Sequence, residues 1–198
     1  MKIRHFSGLL ILIFVAATLS GCGGGTGGGG AVYDTVTLTA ESSGASPFDS
    51  DVAKHTNATP DNCGQEADSV TIFPDTVDFT ISSTVIPDLP AEIIPSDVRL
   101  HSVTITYIPA TTSTPATPAI PSQNYALSNI ITAGGSATIP VTIASQQMKS
   151  NPPLSSLVCG GGPYSYYVTV RFDGEEVTTE KARSFETNFS INFMDFVD

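Results

Sequence analysis

Residues 164–193 read YSYYVTVRFDGEEVTTEKARSFETNFSINF, and this stretch decides the fold. In 164–172 every second side chain is apolar, and in 185–193 the aromatic and aliphatic side chains again share one parity. This period of two is typical of strands that bury one face. Asp173-Gly174 is a hairpin signal, although the polar run through Lys181 favours a longer loop. The stretch therefore predicts two antiparallel neighbours.

The same pattern recurs through the rest of the chain, separated by residues that favour turns. Long helical periodicities are missing, and 145–149 allows one helical turn before the prolines that follow. The predicted further strands are 33–40, 69–73, 76–86, 98–108, 125–131 and 137–143. Seven to eight strands at this spacing, with no crossover helices, predict an all-β domain, an immunoglobulin-like antiparallel β-sandwich.

Two local irregularities are predicted within these strands. Leu100 has the opposite parity to Val103 and Ile105, which indicates a β-bulge near His101 and Ser102. Pro140 lies within an otherwise regular alternation and has no N–H to donate. A strand carrying it is expected at a sheet edge or at a bulge.

The N-terminus has the parts of an export signal. A basic start with Lys2 and Arg4 precedes an apolar stretch, 9–19, that is too short to cross a bilayer as a helix. Leu-Ser-Gly-Cys follows at 19–22. These four residues resemble the lipobox of bacterial lipoproteins, whose signal is cut just before a cysteine that then receives lipid.

The resemblance implies a membrane anchor and a division of the chain. Residues 1–21 are expected to be a signal peptide, and 22–30 a lipidated Cys22 with a glycine-rich, flexible tether. The β-sandwich domain is expected to occupy 31–198. Gly23 stands where related Gram-negative lipoproteins carry a retention aspartate, so the resemblance implies the outer rather than the inner membrane of the cell envelope.

The end of the chain has a likeness of its own. Residues 167–172 read YVTVRF and 189–196 read FSINFMDF. They resemble the ends of uncharacterised β-sandwich lipoproteins of Gram-negative bacteria. The resemblance implies a fold and a location, and it brings no activity.

The charge balance excludes some partners. The chain has 8 basic and 19 acidic side chains, and cleavage would remove Lys2 and Arg4, leaving 6 against 19 and a formal charge of −13. Such a body offers no electrostatic footprint for nucleic acid or for anionic lipid surfaces. Membrane association is expected through lipid alone.

Two cysteines remain once Cys22 is assigned to the anchor. Cys63 and Cys159 lie in loop-like sequence of an exported domain, so a single disulfide is the simplest reading. Free redox thiols, or two unpaired and inert thiols, are the alternatives left open.

The acidic stretch between residues 41 and 68 is a candidate for calcium, which needs six to eight oxygen ligands. The spacing does not match the twelve-residue calcium loop, and a solvated acidic loop is the plainer interpretation. No cofactor is expected, and calcium stays a weak alternative. The candidate ligands are Asp49, Asp51, Asp61, Glu66 and Asp68.

No catalytic set is evident in the sequence. G-x-S-x-G and S-x-x-K motifs are absent, and the histidines after the signal are His55, in a long loop, and His101, on an exposed strand face. Tyr167 is expected to point away from the core, towards a ligand or partner. The sequence thus favours a non-enzymatic, membrane-anchored envelope lipoprotein that acts as a structural or interaction subunit with an envelope protein partner. The alternative is a small-ligand, carbohydrate or calcium-dependent binding module.

Overall fold

The computed structural model describes residues 29–44, 46–56, 63, 69–110 and 116–196. Cys22, with the signal and most of the tether, lies outside this part of the chain, as do Asp61, Glu66 and Asp68. Within it the chain is nearly all β. The strands are β1 Ala31–Val32, β2 Val36–Ser42, β3 Phe48–Asp51, β4 Lys54–Thr56, β5 Ser69–Thr71, β6 Asp75–Val85, β7 Val98–Pro109, β8 Gln123–Ala126, β9 Ile130–Ile131, β10 Ser136–Ala144, β11 Tyr164–Glu176 and β12 Ala182–Met194.

Two sheets form the sandwich. One has the order β1-β2-β6-β10, and the other has the order β3-β12-β11-β7-β8, with β9 also paired to β7. A small third sheet pairs β4 with β5. One helix, α1 (Gln146–Ser150), and a 3₁₀ turn (Leu154–Leu157) connect β10 to β11. The predicted β-sandwich is confirmed, while its immunoglobulin-like subclass stays a prediction.

The core lies between the two large sheets. The ring of Phe79 on β6 lies 5.7 Å from that of Phe172 on β11 and 6.2 Å from that of Phe189 on β12, measured between centroids. Tyr107 on β7 reaches across the core to donate a hydrogen bond to the backbone carbonyl of Ile143 on β10. Each fully buried aromatic ring contributes roughly 1.5–3 kcal/mol through burial. These contacts join the sheets into one body.

Both predicted irregularities are present. The register of β11 against β7 skips His101, since Asp173 pairs with Ser102 and Gly174 pairs with Leu100. Pro140 lies on β10, which is the last strand of its sheet, so the missing N–H interrupts no ladder.

Asp173-Gly174 does not form the turn of the last hairpin. The strands continue past it, with Gly174 opposite Arg183, and the chain reverses between Glu176 and Lys181. A Cβ on Gly174 would lie 2.8 Å from Leu100 Cδ2 and 2.9 Å from the backbone oxygen of Arg99. The glycine therefore permits close approach at the bulge rather than a tight turn.

The remaining differences from the predicted strands lie at the margins. The described ranges contain twelve strand segments, more than were predicted: β1, β3 and β4 are new, and 125–131 divides into β8 and β9. β3 pairs with β12 in parallel, although the prediction was wholly antiparallel. The predicted helical turn is confirmed as α1, where the Ser145 hydroxyl accepts a hydrogen bond from the N–H of Met148 over 3.1 Å.

Candidate functional site

The most unusual group of side chains is His55, Cys63, Cys159 and Asp195, here called the Cys–His–Asp cluster. One donor atom from each residue lies within 4.8 Å of the others. The structure joins Cys63 to Cys159 as a disulfide, with the Cα atoms 5.5 Å apart. His55 Nε2 lies 3.0 Å and 3.1 Å from the two carboxylate oxygens of Asp195. The cluster links three distant parts of the chain.

Secondary structure positions each member of the cluster. His55 is the middle residue of β4, not part of a loop as predicted, and Asp195 directly follows β12. Cys159 follows the 3₁₀ turn with a positive φ of 68°, and its N–H donates to the Asp195 carboxylate. Both the His55 and the Asp195 side chains are fully buried, at 0% exposure. Asp195 is thus fixed from two sides.

The cluster does not have the geometry of a cysteine–histidine catalytic pair. Cys63 Sγ lies 3.8 Å from His55 Nδ1 and 3.9 Å from Nε2. A sulfur on the hydrogen-bonding axis of one ring nitrogen would lie at clearly different distances from the two. The near-equal distances place Cys63 beside the imidazole rather than in line with either nitrogen, and in the disulfide its sulfur carries no proton to transfer.

A second buried polar group lies beside the cluster. Lys149, on α1, is 1% exposed, and its ammonium lies 2.8 Å from Asp75 Oδ2 and donates to the backbone oxygen of Asp51 over 2.6 Å. The hydroxyl of Ser50 also donates to Asp75. This group ties α1 to β3 and to the start of β6.

Two of the calcium candidates, Asp49 and Asp51, lie in the described part of the chain, and both accept hydrogen bonds from protein groups. Asp49 accepts a hydrogen bond from Asn192 over 2.9 Å. Asp51 accepts from the N–H groups of Phe196 and Ala53. Burial raises the pKa of the Asp51 carboxyl, and these hydrogen bonds oppose that shift. Within the described ranges, neither joins a metal-type cluster with two other His, Cys or acidic side chains.

Most side chains on the outer face of the six-stranded sheet are polar, and the exposed apolar ones include Tyr167 and Ile108 and, near the other end of β7, Ile130 on β9. The polar side chains form cross-strand hydrogen bonds, for example between Thr169 and Asn188 and between Asn124 and Thr104. Tyr167 and Ile108 lie directly opposite each other on β11 and β7, and they are 59% and 52% exposed. The predicted outward orientation of Tyr167 is confirmed, and Tyr166 beside it is buried.

A groove of about 470 Å³ lies between β8, at the edge of one sheet, and α1, which follows the edge strand of the other. Amide side chains line it beside apolar ones. Its lining includes Gln123, Asn124, Tyr125, Gln147, Met148 and Asn151. Partial burial raises the pKa of Tyr125. The groove pairs an aromatic ring with several amide donors and acceptors.

Sequence reasoning named the two cysteines but missed His55, Asp195, Lys149 and the groove. His55 and Asp195 are 140 positions apart, and a lone histidine and a lone aspartate carry no motif. Lys149 stood at the end of a predicted helical turn, and burial of its charge had no local signal.

None of the helices within the described ranges combines the length and the hydropathy that crossing a bilayer requires. No protein-family model matches the chain, and no curated protein matches it.

Proposed function

We propose that the protein is a non-enzymatic lipoprotein of the cell envelope, anchored through lipid on Cys22, whose sandwich domain binds an envelope protein. The anchor, and the outer membrane as its location, rest on the lipobox resemblance. The binding role rests on a single structural observation, the exposed pair Tyr167 and Ile108.

The pair has the properties of the centre of a protein interface. Such interfaces surround an apolar, often aromatic, centre with a polar rim, and tyrosine is common among the residues that dominate binding energy. Tyr167 and Ile108 stand on paired strands, so little backbone entropy is lost on binding. Hydroxyl and amide side chains on the neighbouring strands supply the rim.

The negative charge of the domain limits which partners it can bind. A body with a formal charge of −13 repels acidic surfaces and polyanionic lipopolysaccharide or nucleic acid. The matching surface is an apolar pocket on a neutral or basic envelope protein.

Site-specific photo-crosslinking in whole cells tests the interface. A benzophenone-bearing amino acid is placed at position 167 of the full lipoprotein, and in a matched control at position 177. Val177 is also exposed, but it lies in the connection between β11 and β12. One discrete crosslinked protein from position 167, absent from position 177, supports the proposal. Equal products from both positions, or none from position 167, contradict it.

The anchor has a separate test. Cells fed a labelled fatty acid should incorporate label into the wild-type chain and not into Cys22→Ala. Incorporation into both proteins, or into neither, contradicts lipidation at Cys22.

The groove between β8 and α1 supports a second candidate, a carbohydrate or small-ligand module. Sugars pack their C–H faces on aromatic rings and hydrogen-bond to amides, and the groove offers Tyr125 beside Gln123, Asn124 and Gln147. Thermal melts with a panel of envelope oligosaccharides, each with and without calcium, test this candidate. It requires a rise in melting temperature that Tyr125→Ala and Gln147→Ala abolish and Tyr167→Ser retains. If no oligosaccharide raises the melting temperature, the carbohydrate candidate is contradicted and only the protein-binding proposal remains.

A further inference from the structure

We propose that the Cys–His–Asp cluster is a zinc site when the two cysteines are reduced. In the oxidised protein a disulfide joins the two cysteines. In the reduced protein a Zn²⁺ ion is bound by all four side chains instead. This inference is independent of the function proposed above, because it concerns the Cys–His–Asp cluster and not the Tyr167 face.

The donor set fits zinc better than calcium. Zinc is bound by four ligands drawn from cysteine sulfur, histidine nitrogen and carboxylate oxygen, and two cysteines, one histidine and one aspartate complete that number. Calcium requires six to eight oxygen ligands, whereas this cluster offers a single carboxylate. Sulfur and imidazole ligands also discriminate against magnesium.

The distances in the cluster approach those of a tetrahedral site. Bonds of about 2.0–2.3 Å to zinc place neighbouring ligand atoms about 3.3–3.8 Å apart. His55 Nε2 lies 3.0 Å from Asp195 Oδ1 and 3.9 Å from Cys63 Sγ. Once the disulfide opens, the two sulfurs must separate to about 3.8 Å, and all four ligand atoms already lie within 4.8 Å of one another.

Reduction does not by itself scatter the ligands. His55 is fixed on β4, and Asp195 accepts a hydrogen bond from the Cys159 N–H, so three of the four residues stay linked without the disulfide. The side chains of His55 and Asp195 are fully buried, whereas Cys63 is half-buried and Cys159 is exposed, so the ion would be reached from the cysteine side. A partly preformed set lowers the entropy lost when the metal binds.

The chemistry balances with a dithiol as reductant. The dithiol gives two electrons and two protons to the Cys63–Cys159 bond, yielding two thiols, and itself becomes a disulfide. Zn²⁺ then displaces one proton from each thiol, so two protons pass to solvent. The ion is held by two thiolates, the imidazole and the Asp195 carboxylate.

Cobalt spectroscopy tests the site in the full chain purified in detergent. A Cys22→Ser background leaves only the cluster cysteines. We expect the reduced protein to bind one Co²⁺ per chain with tetrahedral visible bands and sulfur-to-cobalt charge transfer, both removed by Zn²⁺. The oxidised protein should show neither. If reduction unfolds the chain, zinc should restore its far-UV circular dichroism, which supports the site equally.

Variants assign the ligands. His55→Gln and Asp195→Asn should each weaken zinc binding by at least about tenfold. Even mutation of a residue that only hydrogen-bonds to a metal ligand typically lowers metal affinity by that much. His101→Gln, on the exposed strand face, is the matched control and should bind as the parent. The proposal is overturned if the reduced protein lacks charge transfer, or if the Cys63→Ser/Cys159→Ser double variant or His55→Gln binds zinc as tightly as the parent.

Discussion

Removal of the Lys149 charge is the sharpest test of how the sandwich is held together. Lys149→Met keeps the aliphatic stem in place but leaves the Asp75 carboxylate with the Ser50 hydroxyl in place of an ammonium. Breaking a buried ion pair costs about 3–5 kcal/mol. Asp75 is 17% exposed and recovers some hydration, which puts the loss near the lower end, about 3 kcal/mol.

The partner variant tests the same interaction from the other side. Asp75→Asn retains an oxygen that accepts from Ser50, yet it leaves an ammonium that is 1% exposed with the Asp51 carbonyl and a neutral amide. We expect a loss of similar size. The double variant buries no charge at this place and should lose far less than the sum, with a coupling energy of at least about 2 kcal/mol.

Urea denaturation followed by far-UV circular dichroism measures these losses, since the chain contains no tryptophan. A loss of about 3 kcal/mol corresponds to roughly 6–12 °C in melting temperature for a domain of this size. Lys181→Met is the matched control, because Lys181 pairs with Asp34 at the surface, and no measurable shift is expected. Additive single losses, or single losses no larger than that of Lys181→Met, would refute the reasoning.

Three further predictions concern other parts of the sandwich. Replacing Cys63 and Cys159 with serine should lower the free energy of unfolding by about 2–4 kcal/mol, and urea midpoints of oxidised wild type and variant measure it; equal midpoints would contradict a stabilising disulfide. Partial burial raises the pKa of Asp173, but hydrogen bonds from hydroxyls and the charge of a neighbouring arginine outweigh it, so the net pKa lies below the ordinary 3.8. Its stabilisation is present above pH 3.8 and is lost as the pH falls through the lower folded value, so the stability gap between wild type and Asp173→Asn should close below about pH 4 and not above it. Gly174→Ala should cost about 1–3 kcal/mol by denaturation, whereas Gly162→Ala, with open space around it, should cost little; equal losses would contradict the close approach at the bulge.

Alternation predicted the long strands because each buries one complete face. β6, β7, β10, β11 and β12 follow their predicted ranges closely, and even the bulge at His101 was visible as a change of parity. The strands that were missed, such as β3 and β4, span three or four residues and carry Asp, Ser, Lys and His. Their pairing is set by tertiary contacts and not by local propensity.

The candidate site was only half visible for the same reason. The two cysteines could be paired because the lipobox resemblance assigned Cys22 to an anchor and implied an exported domain, where an even pair favours a disulfide. Nothing near His55 or Asp195 in the sequence indicated that they meet, because a buried polar contact depends on which distant segments the fold brings together. Asp173-Gly174 shows that a local turn signal alone can mislead: the polar run through Lys181 correctly favoured a later reversal, and Gly174 instead allows the close approach of Leu100.

Different polar groups, each with buried side chains, secure the two ends of the sandwich. At one end of β12 lie the Cys–His–Asp cluster and the Lys149 ion pair. At the other, the fully buried Glu176 accepts from the N–H groups of Asp34 and Thr35 over 3.2 and 3.0 Å. Tyr167 belongs to neither of these polar groups, and its exposed ring buries little apolar surface in the core. With the benzophenone moved to position 169 on the same face of β11, Tyr167→Ser should therefore abolish partner crosslinking while leaving the urea midpoint unchanged. A lower midpoint would mean that the face belongs to the fold rather than to an interface.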